Sequence, residues 1–278
     1  MNSEQLQAYH KHITDTYDAR SGNHDNSDWH RKTALKLLEA LPPRLDDRVL
    51  DIGTGTGTIA FHAASLVGPG GHVTGVDISA GMLLEANRKL AAAEQLNLEF
   101  ILADAEHLDL PENSFDRLYC ASAFFCMLEP LATLRRWHDL LKPGGGLAFH
   151  ALPETSYFWV SVVREVLAKH GFPYLLNTPT GSIEKTRQLL VDAGFADIDI
   201  QVQRSGYFVP FEDAINSWLQ KDDFAPGQYP HPVDNVPSDI LIQCQQDYKE
   251  KIRALETDEG VWNDISMYYI YAYKPQSV

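Results

Sequence analysis

Three aspartates end, or nearly end, successive apolar runs. Asp51 lies in the run 48–52, Asp77 closes 72–77, and Asp104 follows 100–103. Carboxylates at such positions can accept hydrogen bonds from the paired hydroxyls of a ribose or from an amino group, and can face a positive charge. Between the first two runs stands Gly53-Thr54-Gly55-Thr56-Gly57. Its glycines let the backbone turn tightly and approach a ligand where a Cβ would collide. Residues 58–66 then read as a helix whose free N-terminal amides face that turn. A nucleotide-like ligand fits such a place. The dinucleotide spacing G-x-G-x-x-G is not met, because the third glycine comes one residue early and Thr58 stands at its position. A single Asp at a strand end is ordinarily a cap or turn former. Three of them on consecutive runs converge on the carboxyl edge of an open sheet, where α/β folds bind ligands.

The elements that must carry these residues follow from periodicity. From 48 to 151, short apolar runs alternate with longer helical patterns, which predicts parallel strands joined by crossover helices. Ser79 is placed to cap a helix over 80–93, and 129–141 is a helix buried through Leu131, Leu134, Trp137 and Leu141. Asp28 is the expected N-cap of a helix over 30–41, with Ala34, Leu37, Leu38 and Leu41 as its apolar stripe and Pro42-Pro43 as its stop. Further on, 155–170 and 182–193 read as helices and 197–204 as a strand. In the last strand, 265–273, alternation puts Met267, Tyr269, Tyr271 and Tyr273 on one face and Tyr268, Ile270 and Ala272 on the other.

Between these final strands lies a connection far longer than ordinary, 205–264. It is expected to carry helices over 211–220 and 238–255, joined by the Pro- and Gly-rich stretch 225–232. As an insertion at the ligand edge it reads as a substrate cap whose aromatics, among them Tyr207, Trp218 and Phe224, line an apolar pocket, with a dimer contact as the competing use.

Composition narrows the partners. Of 278 residues, 23 are Lys or Arg and 38 are Asp or Glu, a formal net charge of −15 that repels nucleic acid and anionic lipid surfaces. Residues 52–76 lack charged side chains, but seven glycines, Pro69 and two histidines argue against a membrane span. The N-terminus is polar without an export signal, and Cys120, Cys126 and Cys244 form no paired or metal-ligand spacing, so a cytoplasmic protein with reduced thiols and no metal is expected.

The chain resembles class I S-adenosylmethionine-dependent methyltransferases, nearest to the ubiquinone/menaquinone-biosynthesis type. Four matching motifs come in the family's order: Val49-Leu-Asp-Ile-Gly-Thr-Gly-Thr-Gly57, Phe100-Ile-Leu-Ala-Asp-Ala-Glu106, Phe115-Asp116 through Ala121-Ser122, and Leu140-Leu-Lys-Pro-Gly-Gly-Gly-Leu-Ala-Phe149. The resemblance implies a doubly wound, seven-stranded, mostly parallel Rossmann-like α/β sheet with an α-helical cap. Its segments would be a helical leader or lid over 1–41, a cofactor-binding core over 42–204, the cap over 205–263, and the last strand and tail over 264–278.

It further implies S-adenosyl-L-methionine as cofactor, with S-adenosyl-L-homocysteine as product. Cofactor contacts would come from Tyr17, Asp51, Gly53, Thr54, Gly55, Thr56, Gly57, Asp77, Ile78, Met82, Asp104, Ala105 and Ala121. The acceptor would be a small, partly apolar metabolite methylated on carbon, oxygen or nitrogen, with a quinone, phenol or natural product favoured, and the protein a monomer or homodimer. An NAD-dependent oxidoreductase and a non-catalytic S-adenosylmethionine-binding protein are the alternatives. The glycine spacing counts against the oxidoreductase, as does the lack of any Tyr followed four residues later by Lys.

Methyl transfer from a sulfonium needs alignment above all. Where a base helps, His30, His150 and Tyr17 are the candidates; for His150 a hydrogen-bonded wall residue is the competing reading, and for Met82 plain core packing. Many relatives carry a histidine around Phe125-Cys126-Met127, where this chain has cysteine. The leader histidines His10, His12, His24 and His30 otherwise read as a solvated face. His10 and His12 point apart on a helix, and no acidic or cysteine partner completes a metal set.

Overall fold

A computed structural model describes residues 3–26, 28–93, 96–219 and 226–276. Five parallel strands, β1 Arg48–Ile52, β2 His72–Asp77, β3 Leu98–Leu102, β4 Phe115–Cys120 and β5 Leu141–Ala151, alternate with α3 Thr58–Val67, α4 Ala80–Ala93 and α5 Pro130–Leu140. Two later strands, β6 Ala196–Gln203 and β9 Met267–Tyr273, complete the seven-stranded sheet in the order β3-β2-β1-β4-β5-β9-β6, with β9 antiparallel to both neighbours. Order reverses beside β1, so the ends of β1, β2 and β4 open a crevice where the glycine turn lies. Ahead of the sheet, α1 Ser3–Arg20, a 3₁₀ turn Ser21–Asn26 and α2 Asp28–Ala40 form the leader.

Both faces of the sheet are covered, as the unbroken apolar runs require. On one face Leu50, Leu118 and Phe149 pack with Tyr268, Ile270 and Ala272; on the other Val49, Tyr119 and Ala148 pack with Tyr269, Tyr271 and the α2 stripe Ala34, Leu37, Leu38 and Leu41. The expected two faces of β9 therefore divide as the alternation requires. Asp28 is not the cap of α2 but a residue of its first turn, where a carboxylate faces the positive end of the helix dipole.

A separate apolar cluster joins a helix of the preceding segment to the long connection 205–264. Val163 and Leu167 of α6 Phe158–Lys169 pack against Tyr174, Trp218, and Tyr248 and Ile252 of α9 Ser238–Ala254. Helix α6 starts later than the predicted 155, because Tyr157 has φ +61 and its amide donates to the Asp264 carbonyl. The predicted helix over 211–220 is cut to α8 Phe211–Ile215: at Asn216 the backbone leaves the helix at φ −98 and ψ 0, and its amide donates to the Asp213 carbonyl three residues back. Gln220, Phe224 and Ala225 lie outside the described residues.

The connection also holds a ribbon that periodicity does not predict, β7 Gly206–Val209 paired antiparallel with β8 Val261–Asp264. Its strands are more than fifty residues apart in sequence, and β9 consequently begins at Met267 rather than 265. Helix α7 Ile183–Asp192 is capped by Ser182, whose hydroxyl accepts from the Lys185 amide at 3.2 Å.

Trp137 on α5 ties the core to the ligand edge. It is fully buried, packs edge-on to Phe124, and donates from Nε1 to the Ala105 carbonyl at 3.0 Å, bracing the loop that carries Asp104. Trp137→Ala is expected to lower unfolding free energy by about 3–5 kcal/mol, measured by denaturant unfolding.

Candidate functional site

The glycine turn is built around the ends of β1 and β2. The Thr54 amide donates to the Val76 carbonyl at 3.0 Å, and the Gly55 amide to Asp77 Oδ2 at 2.8 Å. Gly53 has φ +63 and lies so near Ala123 that an added Cβ would sit 2.5 Å from that side chain. Gly57, at φ +91, opens α3, and a Cβ there would strike the Phe61 ring at 2.8 Å.

A cavity of about 1000 Å³ runs from this edge into the cap. Of the predicted contacts, Tyr17, Asp51, Gly53, Thr54, Gly55, Asp77, Ile78, Met82, Asp104, Ala105 and Ala121 line it, as do His30 and His150. Thr56 and Gly57 are absent from its wall. Thr56 is buried and its hydroxyl donates to Asp25 Oδ1 at 2.5 Å, while Gly57 turns the chain into α3. Met82 both lines the cavity and is buried on the first turn of α4, so its two readings coincide. Alanines 103, 105, 121 and 123 at the strand ends leave room for a ring system.

The carboxylates differ in setting. Asp51 is buried and accepts from Thr54 Oγ1 at 2.6 Å and the Ala60 amide at 3.2 Å; burial nevertheless pushes its carboxyl up to about 7. Asp77 accepts from the Ser79 amide at 2.9 Å as well as from Gly55, and burial raises it too. Asp104 is partly exposed and accepts from the Glu106 amide at 3.0 Å and His107 Nδ1 at 2.7 Å.

The leader roofs these groups. Asp18 Oδ1 accepts from Ser79 Oγ at 2.5 Å and the Gly81 amide at 2.9 Å, Asp25 pairs with Lys89 at 2.6 Å, and His24 stacks on His30 with centroids 5.5 Å apart. His10, His24 and His30 line the cavity; His10 and His24 are half-buried, which corrects the solvated-face reading for those two, whereas His30 and His12 are exposed. His10 Nε2 comes within 3.5 Å of Asp104 Oδ2 without a hydrogen-bond partner of its own. His10, Asp104 and Glu106 thus gather their ligand atoms within 4.8 Å, an acidic set for His10 that sequence proximity does not reveal. The Glu106 carboxylate there braces the Leu128 and Glu129 amides and the Thr133 hydroxyl at the start of α5.

Candidate proton acceptors are mostly neutral. His150, at the end of β5, is buried against Tyr269 with ring centroids 4.7 Å apart, and burial lowers it to about 3. It is therefore an uncharged wall group 3.4 Å from Ser122 Oγ. Burial holds the Tyr17 phenol well above its usual range and pushes the Cys126 thiol up to about 12; the two lie 3.9 Å apart. His30 is lowered by partial burial and by His24. Arg20 and His24 also line the cavity and were not among the residues the sequence assigned to the site; the adjacent Tyr17 and His30 pointed to this segment.

Residues 49–145 match the family described as a methyltransferase domain. The aklanonic acid methyltransferase DauC of Streptomyces sp. strain C5 is 32% identical over 144 residues, which cover 51% of this chain and 66% of that protein. The ubiquinone/menaquinone biosynthesis C-methyltransferase UbiE of Coxiella burnetii is 40% identical over 176 residues, covering 56% of this chain and 69% of that protein. The chain thus spans about two thirds of the length of these curated relatives. In fold it is similar to Haemonchus contortus phosphoethanolamine N-methyltransferase 2, crystallised with phosphomonomethylethanolamine and S-adenosylhomocysteine, at a TM-score of 0.55 and 21% identity over 88% of this chain and 53% of that one. With the ordered motifs, the strand order and these relatives in agreement, the chain belongs to the S-adenosylmethionine-dependent methyltransferase family.

Proposed function

We propose that the protein transfers the methyl group of S-adenosyl-L-methionine to a small, partly apolar metabolite, a phenol, enol or quinone-like natural product, releasing S-adenosyl-L-homocysteine. The observation that carries this reading is the convergence of Asp51, Asp77 and Asp104 on one cavity whose far end is apolar. Asp77 would take the ribose hydroxyls, Asp104 and the Ala105 amide the adenine edge, and Asp51 with the Gly53–Gly55 turn the cationic amino-acid end. Tyr17, Ile78, Met82 and Ala121 would close around the adenosyl group.

The bound cofactor supplies a methyl already activated by the sulfonium charge, so the chain's task is to align the acceptor and exclude water. The cavity reaches the upper end of the roughly 300–1,000 Å³ range for small-molecule sites, room for two ligands side by side. Its cap end is walled by Tyr157, Trp159, Leu176 and Trp218. The same series of rings that could have been core is divided: Phe158 packs inside the cap, while Tyr157 and Trp159 face the cavity. Among the three candidate bases His30 is the best suited: partial burial and the neighbouring His24 lower it, which favours the neutral imidazole, and it faces the cavity from an exposed position, whereas His150 is buried against Tyr269.

Residues 1–41 then serve as the lid, 42–204 with 264–278 as the cofactor core and 205–263 as the acceptor cap. No described helix is long and apolar enough to cross a membrane, and all three cysteines are free and buried, which suits action on a small molecule in a reducing cytoplasm by a monomer or homodimer.

Incubation with methyl-labelled S-adenosylmethionine and a panel of phenols and enols is expected to move label into an organic-soluble product; binding without any transfer would reject catalysis. Asp77→Asn, which leaves a single acceptor oxygen, is expected to weaken S-adenosylhomocysteine binding by roughly tenfold to a hundredfold in calorimetry. Because Asp51 is raised to about 7 when no cation faces it, a bound positive charge favours its ionised form and releases a proton. S-adenosylmethionine affinity should therefore rise as pH goes from about 6 to 8 and level off above that, and Asp51→Asn should flatten the profile.

A further inference from the structure

One phenol joins three segments that are far apart in sequence. Tyr9 on α1 is buried, donates from its hydroxyl to the Cys126 carbonyl at 2.7 Å, and accepts from the Gly227 amide at 2.6 Å. Cys126 belongs to the loop after β4, and Gly227 to the strap 226–230 of the cap connection. The strap lies flat on that loop: Gly227 has φ +71, and a Cβ there would stand 2.6 Å from the Phe125 carbonyl oxygen. The ring of Tyr229 meets that of Tyr9 edge-on at 6.3 Å. Independently of α1, the Gln228 side chain ties the strap to residues 173–175 through the Pro173 carbonyl and the Leu175 amide.

The same helix spans the two carboxylates proposed to hold the adenosyl group. His10, next to Tyr9, reaches Asp104, and Asp18 closes on Ser79 and Gly81 directly after Asp77. Tyr9, Ile13, Tyr17 and Arg20 form cavity wall between these ends. An adenosyl ligand lying between Asp77 and Asp104 therefore presses on α1, and whatever seats α1 seats the Tyr9 hydroxyl. That hydroxyl is the shared partner of a core carbonyl and a strap amide, both of which lose it if α1 withdraws.

We propose that Tyr9 is a positioning residue that carries cofactor occupancy to the acceptor wall: the adenosyl ligand fixes α1, and the Tyr9 hydroxyl then fixes the strap 226–230 over the cavity. The proposal rests on the cofactor reading above and adds a coupling between its two half-sites. By linkage the coupling is reciprocal, so a seated strap also tightens cofactor binding.

The test is hydrogen exchange on the full chain, with and without saturating S-adenosylhomocysteine. In the unaltered protein, exchange at the strap amides is expected to slow roughly fivefold or more when the ligand is added. Tyr9→Phe, which keeps the ring and removes the hydroxyl, is expected to bind the ligand and to protect the start of α4 while losing the slowing at the strap. Gln228→Leu, which loosens the strap without touching α1, should keep the ligand-dependent slowing, and thermal unfolding shows that each variant is folded. A strap indifferent to the ligand in the unaltered protein, full slowing in Tyr9→Phe, or equal loss in Gln228→Leu would overturn the coupling. No calorimetric binding of S-adenosylhomocysteine by the unaltered protein would overturn the cofactor reading beneath it.

Discussion

The hydrogen bond from the Gly55 amide to the Asp77 carboxylate sets the geometry on which the ligand edge depends. It joins the turn after β1 to the end of β2, and it forms because the parallel register places Ile52 beside Val76. The other Asp77 oxygen holds the Ser79 amide, so one carboxylate also positions the start of α4. Acceptor capacity beyond these two amides remains for a ligand, since an ionised carboxylate can take about four donors. Burial raises the carboxyl, and the amides partly offset that cost. A site built in this way is held in shape before its ligand arrives.

Charge and apolarity are divided along the cavity. Carboxylates cluster at the sheet edge beneath α1, whereas rings and aliphatic side chains occupy the cap end. Carboxylates gathered in a cleft of a protein with a net charge of −15 attract a cation. A neutral His150 and a protonated Tyr17 leave the acceptor end without fixed charge from those two groups. Such a division fits a reaction in which a cationic donor meets an apolar nucleophile and alignment does most of the work.

Legibility in the sequence followed the range of the interactions. Strands β1 and β2 and helices α3 to α5 were readable because each is an apolar run or stripe set by neighbouring residues; β3 to β5 came with the ordered motifs, and the connection from β3 to β4 carries no crossover helix. The two faces of β9 were readable for the same reason, and so were Asp51, Asp77 and Asp104, each of which ends a run. The β7–β8 ribbon was not, since Gly206 pairs with Asp264 across a connection that carries no periodic trace of its partner. The early end of α8 was hidden as well, because the turn of the backbone at Asn216 leaves no mark in a helical pattern.

By itself the sequence determined the α/β class, the order of motifs, the placement of three acidic groups at strand ends and the exclusion of the dinucleotide spacing. These depend on local backbone preferences and on apolar periodicity, which are written residue by residue. Only the tertiary structure decided that His10 reaches Asp104, that Thr56 and Gly57 shape the turn from behind, and that Tyr9 bridges the core loop and the strap. Each of those facts is a contact between segments distant in the chain, made when burial of unrelated apolar surfaces brings their polar groups within hydrogen-bonding distance.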